Sequence, residues 1–272
     1  MSQELVSVIM PTYNASRFLA DSIESILAQT YQNLELLITD DCSDDETQNI
    51  LRQYEKKDPR VKVEYLKENR GPGIARNRSI ERAQGRYIAF CDCDDRWMPE
   101  KLEKQIAHMT KHDCALCSSS YLICDEDSKI TGISISPSHL TLAMMKRDNK
   151  IGCLTAVYDT KRLGRKFYMP AIRKRQDWAL FLNILKDCQI CFCLTEPLAY
   201  YRQRQQSVSS NKFSLIKYNV NVLETVFGYS QTKAYLYFFI FFMPSYYAKI
   251  RRRRRDSRKY LKNMEKTHAS AQ

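Results

Sequence analysis

The sequence predicts an α/β fold, a mixed and mostly parallel sheet flanked by helices, and three observations predict it. Across the first hundred residues, short β-branched runs alternate with segments of helical period, the pattern of strand–helix–strand units. Polar and acidic residues stand at the carboxyl ends of three of those runs, where open parallel sheets bind ligands. The chain has 272 residues, 44% hydrophobic and 11% aromatic, which is enough apolar surface for one large core and excludes a disordered chain.

Residues 6–10 read as the first strand. Asn14 or Ser16 offers a cap for a helix whose Leu19, Ile23, Ile26 and Leu27 share one face, and residues 34–39 form the next strand. Asp44 or Asp45 opens the second helix. A third strand at 61–66, a tight turn at Gly71-Pro72-Gly73, a helix at 74–83 and a fourth strand at 87–91 complete a Rossmann-like half. Its first turn is Pro11-Thr-Tyr-Asn14 where a dinucleotide fold carries Gly-x-Gly-x-x-Gly, so that fingerprint is excluded. After a helix at 99–111 the pattern loosens. Apolar runs at 115–124, 130–135 and 152–158 predict strands, residues 177–185 predict a helix, and this half is expected to shape the substrate pocket.

Ten cysteines lie mostly in apolar stretches. Cys114, Cys117, Cys188, Cys191 and Cys193 lack the polar knuckles and paired histidines of a zinc site and read as buried thiols. The first residues show no charged and apolar signal regions, so reduced thiols in the cytosol are expected. The net charge of +12 is concentrated at one end: residues 251–272 hold nine Arg or Lys against Asp256 and Glu265. Just before them, residues 234–248 form an apolar, tyrosine-rich segment containing Pro244, shorter than the ~20 residues needed to cross hydrocarbon. Apolar surface followed by an arginine run predicts a segment lying on an anionic membrane surface; the plainer alternative is a helix packed on the domain with a solvated basic tail.

The acids at strand ends carry the chemistry. Asp40-Asp41 and Asp92-Cys-Asp94-Asp95 each follow a predicted strand, and Asp92-x-Asp94 aims two carboxylates at one point, which suits Mn2+ or Mg2+ holding phosphate oxygens. A helix cap before Pro99 is the alternative. An aspartyl phosphatase is excluded by Arg96 and Trp97, which stand where that chemistry needs a small residue. Trp178 suits either sugar stacking or the core. Arg173, Lys174, Arg175, Arg202 and Arg204 are candidate diphosphate clamps.

Ser7-Val-Ile-Met-Pro-Thr-Tyr-Asn14, Thr39-Asp-Asp-Cys-Ser-Asp44, Gly73-Ile-Ala-Arg-Asn77, Gly85-Arg-Tyr-Ile-Ala-Phe-Cys-Asp-Cys-Asp-Asp95 and Lys174-Arg-Gln-Asp-Trp178 together resemble the family 2 glycosyltransferases, over about residues 5–210. The resemblance implies a GT-A domain at 1–210, with a nucleotide-binding half at 1–100 and an acceptor-binding half at 101–210, and leaves 211–272 as the membrane-association segment. It implies that Pro11 and Tyr13 line a nucleobase pocket, that Asp41 accepts from a uracil imide with Asp40 beside it, and that Arg76 faces the nucleotide. Asp92 would meet ribose or metal, Asp94 would be the main metal ligand, Asp95 would touch the donor sugar, and Arg202 would match a Tyr-Arg pair frequent in the family. Asp177 would be the base. The implied reaction is inverting transfer of a hexose or hexosamine from a UDP-sugar to a polyprenyl-diphosphate-linked saccharide, on the cytoplasmic face of the cell membrane, with no nucleic acid partner. Two positions depart from the common pattern: Gln176 stands where Glu is frequent, and Cys42 replaces a Gly. The rival readings are a catalytically silent nucleotide-sugar scaffold and a nucleic-acid-binding protein using its basic tail.

Overall fold

Apolar side chains alternate along the central strands, and that period of two divides the core. Ile9, Leu37, Ile88 and Phe90 pack on one face of the sheet, while Val8, Met10, Leu36, Ile38 and Ala89 pack on the other. Two buried faces need two covering layers, and the computed structural model, which describes residues 3–204 and 212–269, supplies both.

The strands are β1 (Val6–Thr12), β2 (Leu34–Asp40), β3 (Val61–Tyr65), β4 (Tyr87–Phe90), β5 (Arg96–Trp97), β6 (Leu116–Cys124), β7 (Ile130–Ser134), β8 (His139–Thr141), β9 (Val157–Asp159) and β10 (Ile190–Arg202). They form one sheet in the order β3-β2-β1-β4-β9-β6-β10-β5, with β7 on β6 and β8 on β10. The run from β3 to β4 is parallel, β9 enters antiparallel, and β6 and β10 are again parallel to each other. Helices α1 (Leu19–Leu27), α2 (Thr47–Lys57) and α4 (Lys101–Lys111) cover one face; α3 (Pro72–Arg82) and α7 (Gln176–Cys188) cover the other, and the short α5 (Leu142–Arg147) and α6 (Thr160–Leu163) close its edge. This is the expected α/β architecture.

Several local expectations are corrected. Neither Asn14 nor Ser16 caps α1, which starts behind Phe18 without a side-chain cap. The Asn14 carboxamide oxygen instead accepts from the Asp44 amide (3.1 Å), and the Ser16 amide donates to Asp45 (3.2 Å), so these residues lace the β1 and β2 loops together. Asp45, not Asp44, meets the start of α2, accepting from the Thr47 amide at 2.9 Å. The 13-residue β10 was not foreseen: Glu196-Pro197 interrupts its alternation, and its register on β6 shifts on both sides of Pro197.

The C-terminal elements are α8 (Lys212–Phe227), α9 (Gln231–Tyr237), a π-helical stretch (Phe238–Phe242) and α10 (Met243–Ala269). The expected boundary at 210/211 lies outside the described residues. Past it, Val220, Leu223, Phe238 and Phe242 join the same core cluster as Trp178 and Phe181 of α7. The Ser257 hydroxyl of α10 accepts from the Ile133 amide (3.0 Å) and donates to its carbonyl (3.2 Å), tying the helix to β7. The packed-helix alternative therefore holds for one face of this segment. One face is core, while Leu236 (57% exposed), Phe239, Ile240 (58%), Phe241 and Tyr247 face outward. Among the described residues no helix is long and apolar enough to cross a membrane.

Candidate active site

Parallel pairing in register brings the carboxyl ends of β1, β2 and β4 side by side, and the chain leaves each through polar residues. Asp40 ends β2 fully buried. Its carboxylate accepts from the Thr12 and Ser43 hydroxyls, the Ser43 amide and the Gln48 carboxamide, so it organises the turn and has no capacity left for a ligand. Asp41, only 2% exposed, accepts from the Arg70 and Gly71 amides, each at 2.7 Å and one per oxygen. It thereby anchors the loop that starts α3, where Gly71 adopts φ +89° and Pro72 takes the first helical position. Pro11 is buried in β1, whereas the Tyr13 ring stands half-exposed just beyond it.

The acids after β4 are crowded. Asp92 accepts from Arg76 at 2.5 Å, and Asp94 pairs with Arg204 Nε at 3.2 Å. Burial, and then the charge of Asp92, push the Asp94 carboxyl above the usual carboxylate range; Asp95, buried beside them, is pushed well above it by burial and by both neighbours. Hard carboxylate oxygens crowded on one short turn are a set that fits Mn2+ or Mg2+, which take one or two carboxylates and complete their shell with phosphate oxygens and water.

Arg202 corrects the expectation that it faces the donor. It is 4% exposed; Nε donates to the Asp94 carbonyl (3.1 Å) and Nη1 to the Glu126 carbonyl and the Ser128 hydroxyl. Its amide donates to Asp95 at 3.0 Å, and its guanidinium lies 4.4 Å from the Phe18 ring centroid. The end of β10 turns this side chain inward, where it braces the acidic loop from behind. Arg204, two residues on, is the cation that reaches an Asp94 carboxylate.

A cleft of 410 Å³ joins the acids to the second half of the chain. Arg76, Asp92 and Asp95 of the first half line it together with Asp177 and Asn149 of the second. Asp177 stands in the first turn of α7, where Asn149 Nδ2 donates to its Oδ2 at 3.0 Å; its Oδ1 accepts nothing among the described residues. Burial alone would push the Arg76 guanidinium down, but Asp92 outweighs it with Asp177 contributing, so it stays charged and within electrostatic reach of both acids. Arg76 Nε is buried without a partner. A Cβ on Gly73 would come within 2.6 Å of Gln176 Nε2, so the glycine lets the starts of α3 and α7 meet across the floor. Gln176 thus fills the place of the frequent Glu by packing. Trp178 is core: fully buried, its indole N–H bonds the Met145 carbonyl (2.8 Å) and its ring packs 5.3 Å from Phe242. Sequence reasoning missed Asn149 because nothing local marks a residue that meets Asp177 across 28 positions.

Residues 7–170 match the model of a family described as Glycosyl transferase family 2. The chain is 44% identical over 214 residues to TuaG of Bacillus subtilis, named for a teichuronic acid biosynthesis glycosyltransferase, covering 78% of this chain and 84% of that one. It is 40% identical over 227 residues to WfgD of Escherichia coli, a UDP-Glc:α-D-GlcNAc-diphosphoundecaprenol β-1,3-glucosyltransferase, covering 82% and 87%. Among solved structures, Staphylococcus aureus TarS with UDP-GlcNAc superposes with a TM-score of 0.65 at 21% identity, over 84% of this chain and 69% of that one, a likeness of fold.

Proposed function

Because the chain belongs to glycosyl transferase family 2, has a GT-A fold and is similar to enzymes of bacterial cell-surface polysaccharide synthesis, we propose that it transfers a hexose or hexosamine from a UDP-sugar to a hydroxyl of a polyprenyl-diphosphate-linked saccharide, inverting the anomeric carbon. The observation that carries the reading is the cleft, with an arginine and acids on one wall and a half-free carboxylate on the other.

The residues divide the work. Tyr13 offers an exposed ring for the nucleobase beside Pro11, and each Asp41 oxygen keeps one lone pair, enough to accept from an imide N–H. Arg76, which lines the cleft and whose Nε has no partner among the described residues, is the cation offered to the diphosphate. Asp94, with Asp92, would hold Mn2+ or Mg2+, which supplies positive charge to the leaving diphosphate when bound. Asp95 stays behind them, near the donor sugar. Asp177 takes the proton of the acceptor hydroxyl through its free Oδ1 while Asn149 fixes its other oxygen. A base on the wall opposite the diphosphate directs attack to the opposite face of the sugar, converting an α-linked donor into a β-linked product. The outward apolar band and the following arginines support seating on the anionic cytoplasmic face of the cell membrane, where a lipid-linked acceptor is held; no nucleic acid partner is proposed.

The test is nucleotide release from a panel of nucleotide sugars, with and without chelator and with a short-chain lipid-diphosphate saccharide. Release of UDP from one donor, dependent on a divalent ion and lost in Asp94→Ala, is the expected outcome. Donor binding without release or transfer under any condition would instead establish the silent scaffold.

A further inference from the structure

We propose that the cleft extends beyond Asp177 into a subsite for the diphosphate of the lipid-linked acceptor, and that Arg253 is the residue of the five-arginine run that serves it. The inference rests on the proposed function for the identity of its ligand. Its geometry comes from α10.

Tyr246, Lys249 and Arg253 recur at intervals of three and four residues, so they share one helix face, and all three line the cleft. Ser257, one turn further, is pinned to both backbone groups of Ile133 and fixes the rotation of the helix. That rotation sorts a run uniform in sequence: Arg251, Arg252, Arg254 and Arg255 are exposed, and Arg253 alone of the five is half-buried against the cleft.

The cations at this end are not equivalent. Lys249 and Lys150 are both committed to Asp148, at 2.7 and 3.3 Å, and Lys249 also bonds the Asn149 carbonyl. Their charge is already shared with a buried carboxylate. Arg253 and Arg173, which both line the cleft, have no carboxylate partner among the described residues, and Arg175 Nε is buried without a partner among them. Guanidinium forks held at a cleft mouth without an acid match the paired oxygens of a diphosphate. Lys249, one turn before Arg253, bonds the Asn149 carbonyl, and Asn149 bonds Asp177, so this face of α10 adjoins Asp177, whereas Arg76 is paired with Asp92.

An independent observation points to a ligand in the same place. Asn219 of α8 is 4% exposed, lines the cleft, and its carboxamide oxygen accepts no hydrogen bond. A buried acceptor left without a donor is costly, and a saccharide hydroxyl in the cleft would satisfy it. The lipid has a way out as well: Tyr246 lines the cleft, and its ring neighbour Tyr247 is exposed, as are Phe239, Ile240 and Phe241.

The test uses the full chain saturated with UDP and Mn2+, and calorimetric binding of farnesyl diphosphate as the probe. One-to-one binding by the wild type is expected, weakened at least about tenfold in Arg253→Ala and less than about twofold in Arg252→Ala. UDP affinity should be the same in all three proteins, which also shows that the variants fold. On phosphatidylglycerol vesicles the ranking should reverse, with Arg252→Ala weakening attachment more. Equal effects of the two substitutions on the probe, no probe binding to the UDP-saturated wild type, or displacement of UDP by the probe would each overturn the subsite. Absence of sugar transfer in the release assay, with these binding results intact, would count against the proposed function and leave the subsite standing.

Discussion

The two walls of the cleft are built by opposite means. On the donor side Tyr13, Asp41 and Asp92 each stand a short step past the end of a strand in one parallel set, positioned by β1, β2 and β4 in register, and Arg76 joins them from α3. On the acceptor side Asn149, Asp177, Asn219 and Arg253 come from a loop and three helices, brought together by packing alone. The difference teaches that donor chemistry here is a property of local motifs, whereas acceptor chemistry is a property of the tertiary fold. Substitutions on the two walls should therefore separate into distinct phenotypes.

The largest expected effect is that of Asp177→Asn. It removes the proton acceptor and keeps the shape, so turnover should fall by about 10³-fold or more while UDP affinity stays at the wild-type value. Turnover from nucleotide release and affinity from calorimetry check this together. A parallel loss of UDP affinity would mean that the walls are not separable.

Next in size is Arg202→Lys, aimed at the brace between the walls. A lysine cannot reproduce bonds to the Asp94 and Glu126 carbonyls and the Ser128 hydroxyl from one buried position. Stability in urea should drop by about 3 kcal/mol, because partners and charge are left buried and unpaired. A loss of activity with unchanged stability would return Arg202 to the donor site.

The same division explains what the sequence revealed. The first-half strands were legible, and with them the places of Asp92 and Asp94 just past β4, because a strand-end acid is defined by its neighbours in the chain. Arg202 was misjudged because its motif is local but its direction is decided by the bulged end of β10, which pairs with a strand about 77 residues earlier. Asn149, Asn219 and the singling out of Arg253 were invisible: one asparagine resembles another, and five adjacent arginines differ only once Ser257 has set the helix rotation. Caps at Asn14 and Ser16 failed for a related reason, since a side chain that can cap its own helix can equally bond the next loop.

A buried cation under the donor half tests how far its rigidity tolerates an unsatisfied group. Lys101, the first residue of α4, is fully buried, and its ammonium has no hydrogen-bond partner among the described residues; it faces the Trp97 ring, 3.8 Å from Nζ to the centroid, and the Cys91 and Cys117 thiols. Burial pushes its pKa down to about 7. Between that value and the ordinary lysine range the unfolded chain holds a proton that the folded protein lacks, so this residue makes stability rise with pH across the window. Lys101→Met removes the penalty. The variant should be more stable at pH 7, by on the order of 2 kcal/mol, with the advantage shrinking toward zero near pH 10. Chemical unfolding of both proteins at the two pH values measures it, and a constant difference would show that the ammonium is not the cause.

The smallest effect concerns Cys42, the residue where this chain departs from the glycine common in its family. It follows the Asp40-Asp41 pair at φ +65°, a left-handed conformation that a side chain disfavours by roughly 1–2 kcal/mol. The backbone thus takes the glycine geometry with cysteine in place. The Sγ offers little in return, a 3.6 Å contact with the Lys67 carbonyl. Glycine would relieve the strain and add entropy to the unfolded chain, and these oppose each other. The net expectation is a gain of about 0.5–1 kcal/mol for Cys42→Gly, read as a raised denaturation midpoint with an unchanged slope. Because Asp41 holds the Arg70–Gly71 loop from the adjacent position, the gain should appear without loss of UDP affinity. A stability gain paired with weaker UDP binding would show that the strained turn itself sets the donor wall, and that even the most local part of the site depends on a backbone geometry that its motif does not spell out.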